Sequence, residues 1–231
     1  MSNSKNASTE YEINYVCHHP WAHMLFQTKL PSPILEQMRK LTDEILVDPK
    51  RIDWGSNLAG QVRVEPLIPP KALRAAKLLD FFGNMISVYI SQCMSSKRRQ
   101  SGEEGLSNIP STEAEPNPVN PVTIQSMWIV EQQPGEYNPM HVHTNCDISA
   151  VMYLNIPKFL ESEKPERADD GSIYFVGDSG PQTGLTNNTL KIVPEPGDFF
   201  IFPSHMIHTV YPYKTNDTFA RRSVSFNAKM N

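Results

Sequence analysis

Asn138-Pro139-Met140-His141-Val142-His143 opens the part of the chain that decides the fold, because a succession of short apolar runs surrounds it. Thr123 to Glu131 precedes the motif. Asp147 to Ile156, Gly171 to Val176, Leu190 to Val193, Asp198 to Phe202, His208 to Tyr213 and Arg222 to Ala228 follow it. Pro134-Gly135, Asp169-Asp170-Gly171, Pro194 to Gly197 and Asn216-Asp217 supply the turns between them. Strands at this spacing predict a mostly β architecture, a closed or jelly-roll barrel, over 122–231.

Upstream, the periodicity is helical. Ser32-Pro33 predicts a helix start, with Ser32 as the cap and proline in the first turn. Ile34, Met38, Leu41 and Ile45 then recur at the spacing of one buried helix face. A second helix is expected from Pro70 to Gln92, with Leu73, Ala76, Leu79, Phe82 or Gly83, and Ile86 on its inner side. Trp54 to Val64 reads as a turn and a short strand, and Ile13 to Thr28 as an early strand. These two helices brace the β core from outside. The expected organisation is one domain, 1–231: a disordered tail over 1–11, helical support over 13–94, a polar loop over 95–121 and the β core from 122 onward. The loop 95–121 and the stretch Lys158 to Asp170 are candidate lids.

Composition narrows the function classes. With 231 residues, 39% hydrophobic and 20% charged, the chain is long enough to bury a core without disulfides or a structural metal. A net charge of −4 carries no nucleic-acid footprint, and Lys97-Arg98-Arg99 is followed at once by Glu103-Glu104. Cys17, Cys93 and Cys146 are odd in number with no paired spacing, as expected in a reducing, cytoplasmic compartment. No apolar run has the length of a membrane span. The run Cys17-His18-His19 with His23 invites a second metal site, but it has no closing ligand pair.

The chemistry concentrates in the strands. On an extended chain His141 and His143 point to one face, so a single strand end offers two imidazoles and a neighbouring strand must supply the third. His208 follows the buried run Gly197 to Ser204 and is the candidate. Histidines with open positions suit Fe(II), and the usual non-haem iron set is two histidines and a carboxylate. Here His143 stands where that carboxylate is expected, and Asp147, four residues on, is the nearest acidic substitute. The last strand, Arg221 to Asn227, places Arg221, Ser223, Ser225 and Asn227 on one face and Arg222, Val224 and Phe226 on the other. An arginine inside a β core requires a partner, and a carboxylate held by Arg221 and Ser223 provides one. The alternative phase puts Arg222 inside.

Five ordered motifs, Asn138 to His143, Ser149 to Leu154, Pro194 to Asp198, Phe202 to His208 and Arg221 to Asn227, resemble those of the 2-oxoglutarate and Fe(II)-dependent oxygenases. The likeness is greatest to small proteins of marine phages and bacteria, and it extends faintly to Asn57-Leu58-Ala59-Gly60. The resemblance implies a double-stranded β-helix that binds Fe(II) through His141 and His208, with His143 or Asp147 completing the site. It also implies that Arg221, Ser223 and Tyr153 hold the far carboxylate of 2-oxoglutarate. The implied activity is hydroxylation of a small-molecule or protein side-chain substrate with release of succinate and CO2. Two other readings stay open: a cupin-type enzyme binding metal through His141, His143, Asp147 and His208, and a metal-free, phage-associated binding module.

Overall fold

The computed structural model describes residues 13–18, 23–101, 122–161, 168–177 and 188–231, with backbone only for Cys17, His18 and 97–101. Ten strands are described: β1 (Tyr15–His18), β2 (Leu25–Lys29), β3 (Val122–Gln132), β4 (Asn138–His141), β5 (Ile148–Asn155), β6 (Ile173–Val176), β7 (Thr189–Ile192), β8 (Asp198–Pro203), β9 (Ile207–Val210) and β10 (Arg221–Met230). They form two antiparallel sheets. The larger runs β1-β2-β8-β5-β10-β3 and the smaller β4-β9-β6-β7. The sheets face each other as a jelly-roll rather than closing into one hydrogen-bonded barrel.

Side-chain alternation explains why the large sheet sits in the middle of the molecule. Along β8, Phe199 and Ile201 join a core with the helices, while Phe200 and Phe202 join a second core against Ile173, Phe175 and Val210 of the small sheet. On β5, Ala150, Met152 and Leu154 face the helices, and Val151 and Tyr153 face the small sheet. Both faces are covered, so these strands read as continuous apolar runs without a polar phase.

Three helices cover the outer face: α1 (Ser32–Val47), α2 (Pro70–Ala75) and α3 (Leu79–Ser101). The stripe Ile34, Met38, Leu41 and Ile45 of α1 is buried as its period requires. Ser32 is not the cap: Pro31 holds that position, its carbonyl accepts from the Leu35 amide at 2.9 Å, and no side chain caps the end. The single helix expected from Pro70 to Gln92 is two helices. Lys77 adopts φ +53°, and the Leu78 amide reaches back to the Leu73 carbonyl at 3.0 Å. That closure lets buried Leu78 pack beside Leu73, which ends α2 in the left-handed turn usually taken by glycine. The helix α3 then continues to Ser101, into the segment expected to be loop. The rest of that loop, 102–121, and part of the second lid candidate, 162–167, lie outside the described residues, as does the 1–11 tail.

Between α1 and α2 the strand expected by Val64 is displaced. A 3-10 turn occupies Gly55–Asn57, and residues 64–68 lie along β3 instead. Glu131 donates to the Val64 carbonyl at 3.0 Å, Ile129 to Pro66 at 2.9 Å, and Ile68 donates to Met127 at 2.8 Å. This segment covers the β3 edge and carries the Asn57–Gly60 turn to the mouth of the space between the sheets.

Candidate active site

Register brings the histidines together. Strands β4 and β9 pair so that His141 lies directly across from His208, and β6 flanks β9 with Phe175 opposite His208. His143 lies just beyond β4, fixed by its amide donating to the Ser204 carbonyl at 2.8 Å. The ligand atoms of His141, His143 and His208 all lie within 4.8 Å of one another, and this is the one such group among the described residues. The Nδ1 atoms of His141 and His208 approach the Pro139 and Met206 carbonyls at 2.7 and 2.9 Å. Each carbonyl accepts a hydrogen bond from Nδ1–H, which makes Nε2 the nitrogen that carries the lone pair. His143 Nε2 stands 3.4 Å from His208 Nε2.

Burial keeps the three rings neutral. It lowers the pKa of His141, takes that of His208 well below the ordinary histidine value, and pushes His143 down to about 4, with the neighbouring rings adding to the effect on His143 and His208. Neutral imidazole is the form that ligates a metal. Three neutral nitrogen donors, His208 buried and His141 and His143 half-buried, face one point and fit a divalent transition metal. No carboxylate joins them among the described residues. Asp147 in particular turns away: its carboxylate accepts from the Met230 amide at 2.9 Å, and its backbone is tied to Ala228 and Ser204. Its place at the start of β5 aims it along the end of β10 rather than between the sheets, so the four-residue cupin set is not assembled.

The same cavity reaches Arg221, Ser223 and Tyr153. Strand β10 adopts the phase with Arg221, Ser223, Ser225 and Asn227 lining the cavity, while Val224 and Phe226 enter the helix-side core. Arg221 is 1% exposed. Its Nη1 donates to the Gly171 carbonyl at 2.6 Å and its Nη2 to Gln132 Oε1, whereas Nε has no partner among the described residues. The rings of Tyr213 and Tyr153 flank the guanidinium at 5.5 and 5.7 Å. No carboxylate pairs with it among the described residues. Tyr153 Oη, equally buried, also lacks a partner among the described residues, and burial pushes its pKa up to about 12, so it remains a neutral donor. An unpaired buried cation and an orphaned hydroxyl in one wall fit a bound carboxylate.

Arg222 faces the other way. It donates from Nε to Glu131 at 2.6 Å, and from Nη1 to Asp43 at 2.5 Å and to Thr42 at 3.1 Å, fastening α1 to the sheet. Sequence reasoning did not single out the groups that hold Arg221. Gln132 closes β3 and Gly171 sits in a turn, and neither carries a motif of its own. Gly171 has a structural signature once the fold is known: its φ is +68°, and a Cβ there would lie 2.2 Å from the Phe159 ring. The side chains of Cys17 and His18, and all of His19, lie outside the described residues, and His23 packs edge-on against His205.

Residues 126–227 match the family described as "Putative 2OG-Fe(II) oxygenase". This stretch contains the three histidines, Tyr153, Arg221 and Ser223, and it is similar to the 2-oxoglutarate and Fe(II)-dependent oxygenases, enzymes whose cofactors are Fe(II) and 2-oxoglutarate. Among solved structures, the non-heme alpha ketoglutarate dependent epimerase SnoN from nogalamycin biosynthesis superposes with a TM-score of 0.51 at 10% identity, over 89% of this chain and 78% of that one. That likeness shows the fold, the double-stranded β-helix. A Pseudomonas putida prolyl-4-hydroxylase aligns at 14% identity and TM-score 0.48, over 90% of this chain and 94% of that one. A Trichoplax adhaerens prolyl hydroxylase, solved with a hypoxia inducible factor peptide, aligns at 12% identity and TM-score 0.49, over 94% and 83%. No curated protein matches by sequence. No helix among the described residues is long and apolar enough to cross a membrane.

Proposed function

We propose that the chain hydroxylates a small-molecule or protein side-chain substrate, using Fe(II) held by His141, His143 and His208 and 2-oxoglutarate anchored by Arg221, Ser223 and Tyr153. One observation carries the reading: a single cavity joins three neutral converging imidazoles to a buried arginine that lacks a carboxylate partner. The chemistry that Fe(II) and 2-oxoglutarate supply when bound is oxidation by O2 coupled to release of succinate and CO2.

The residues contribute position and enclosure. Carbonyls at Pro139 and Met206 hold two of the imidazole protons away from the ligand point. Arg221 Nε and the Tyr153 hydroxyl offer two N–H and O–H donors to the far carboxylate, and Ser223 lies beside them on the same strand face. Trp128, Val151, Ile173 and Phe202 line the remaining walls and exclude water. Tyr153 is a donor throughout, since its hydroxyl keeps its proton at neutral pH.

The whole described chain acts as one domain in this reading, with the helices supporting the sheet that carries Arg221. A cytoplasmic location, in the host if the gene is carried by a phage, fits the unpaired Cys93 and Cys146. The geometry favours neither alternative: Asp147 is absent from the cluster, against a cupin set, and a metal-free module gives no reason to converge three neutral histidines in one cavity with a buried arginine that has no carboxylate partner among the described residues. Anaerobic addition of Fe(II) and 2-oxoglutarate tests the proposal. A weak visible charge-transfer band is expected from the chelated 2-oxo acid, and its absence in fully iron-loaded protein returns the site to the other readings.

A further inference from the structure

Glu65 stands in the wall of the same cavity, outside the stretch matched to the family, and is the sole carboxylate among its lining residues. It is 2% exposed, and its Oε2 is fully buried without a hydrogen-bond partner among the described residues. Native proteins seldom leave a buried carboxylate oxygen unpaired, because a desolvation penalty of roughly several kcal/mol then has nothing to offset it. The neighbouring acids are partnered. Glu136 accepts from Arg63 at 2.8 Å and from the Gln133 amide at 2.9 Å, and Asp53 accepts from the Gly55 amide at 3.1 Å. Glu65 Oε2 has neither kind of partner among the described residues.

Its backbone is rigid. Residues 64–68 are hydrogen-bonded along β3, so the side chain is aimed by a sheet edge rather than by a loop. The Asn57–Gly60 turn closes over the carboxyl: a Cβ at Gly60 would lie 2.4 Å from Asn138 Oδ1 and 3.0 Å from Glu65 Oε1. The turn comes this near because position 60 has no side chain. Burial, then the charges of Asp53 and Glu136, raise the Glu65 pKa to about 7. Three carboxylates, Asp53, Glu65 and Glu136, therefore share this corner with two arginines, Arg63 paired to Glu136 and Arg51 donating to the Leu46 carbonyl at 2.9 Å, and the excess of carboxylates favours a cation.

We infer that Glu65 is the substrate-recognition residue of the cavity and that it receives an ammonium group of the substrate. The inference rests on the oxygenase reading above, in which Arg221 is taken by 2-oxoglutarate and Glu65 is left for the substrate. A cation fits better than a neutral acceptor because Asp53 and Glu136 would attract it and would gain nothing from a carbonyl.

The test is calorimetric titration of anaerobic protein loaded with Fe(II) and 2-oxoglutarate. The probes are n-butylammonium and 1-butanol, which differ in charge and little in shape. Wild type is expected to bind the ammonium at least tenfold more tightly than the alcohol. Glu65→Gln, and Glu65→Met as a second variant of similar length, are expected to lose that preference while still binding 2-oxoglutarate. Equal binding of the two probes by wild type, or a preference that persists in both variants, overturns the inference. L-lysine and an end-blocked lysine peptide, titrated in the same way, distinguish a free amine from a peptide-borne one, and Glu65-dependent binding of either supports it. Failure of 2-oxoglutarate to bind wild type would instead overturn the oxygenase reading, so the two are separable.

Discussion

On β10, Arg222 points to the helices and meets the carboxylates of Glu131 and Asp43, whereas Arg221, one residue earlier, points between the sheets and meets a carbonyl, an amide oxygen and two tyrosine rings. The two side chains are chemically identical and both largely buried. The difference separates structure from function. A cation that holds a fold together is paired within the fold, because its partners must be present whenever the chain is folded. A cation kept for a ligand is oriented by neutral groups and left short of negative charge. Glu65 repeats the pattern with the opposite sign, next to the partnered Glu136 and Asp53.

The largest effects are expected at the three histidines proposed as metal ligands. His141→Ala and His208→Ala are each expected to abolish stoichiometric Fe(II) binding, measured by metal analysis after desalting, with circular dichroism unchanged because a core of this size does not depend on a metal. His143→Ala should be similarly severe and Asp147→Asn near neutral for iron affinity. The reverse order would contradict the three-histidine centre, since Asp147 is spent on the Met230 amide.

The next experiment addresses the two arginines directly. Arg221→Met is expected to lose roughly 2–5 kcal/mol of 2-oxoglutarate affinity, the scale for truncating one partner of a buried charge pair. Its folding stability should be unchanged or raised, since an apolar side chain of similar volume replaces an unpaired buried cation. Arg222→Ala should do the opposite in urea denaturation. It leaves Glu131 uncompensated and removes the tie to α1, costing about 3 kcal/mol, while 2-oxoglutarate affinity in the folded protein stays near wild type. Equal stability losses in both variants would erase the distinction.

A smaller effect is expected from pH. In chelator-treated protein His143 has its pKa lowered to about 4 from an ordinary value of 6.5, so between these values the unfolded chain binds the proton and the folded chain does not. Its contribution to stability is complete above about pH 6.5 and is lost as pH falls toward 4, and the lowered values of His141 and His208 act in the same direction. Glu65, raised to about 7, opposes this: its folded form takes up a proton that the unfolded form releases down to 4.5, so its contribution is lost as pH rises through 7. Thermal midpoints of wild type and Glu65→Gln across pH 4 to 8 separate the two. The variant should fall more steeply toward acid, and parallel profiles would contradict the assigned burial of Glu65.

Much of the cavity was legible from the sequence, and the reason is periodicity. The two-residue repeat of β10 sorted Arg221, Ser223, Ser225 and Asn227 from Val224 and Phe226 without coordinates, and the pair His141 and His143 required only that the chain be extended. Strand pairing was not legible. That His141 faces His208 depends on a register between strands far apart in sequence. Glu65, Gln132 and Gly171 gain their roles from that packing alone. The break at Lys77 was hidden because lysine rarely takes a left-handed turn, and it is paid for by the burial of Leu78, a tertiary contact.

The most direct test of the central claim, that the cavity face of β10 is organised around a dicarboxylate and the helix face is not, is anaerobic titration of 2-oxoglutarate into Fe(II)-loaded wild type, Arg221→Met and Arg222→Ala, followed by the visible charge-transfer band. Saturation at one equivalent in wild type and Arg222→Ala, with a midpoint displaced at least about 30-fold in Arg221→Met, is the predicted result, corresponding to the lower end of that charge-pair loss. Undisplaced saturation in Arg221→Met would contradict it.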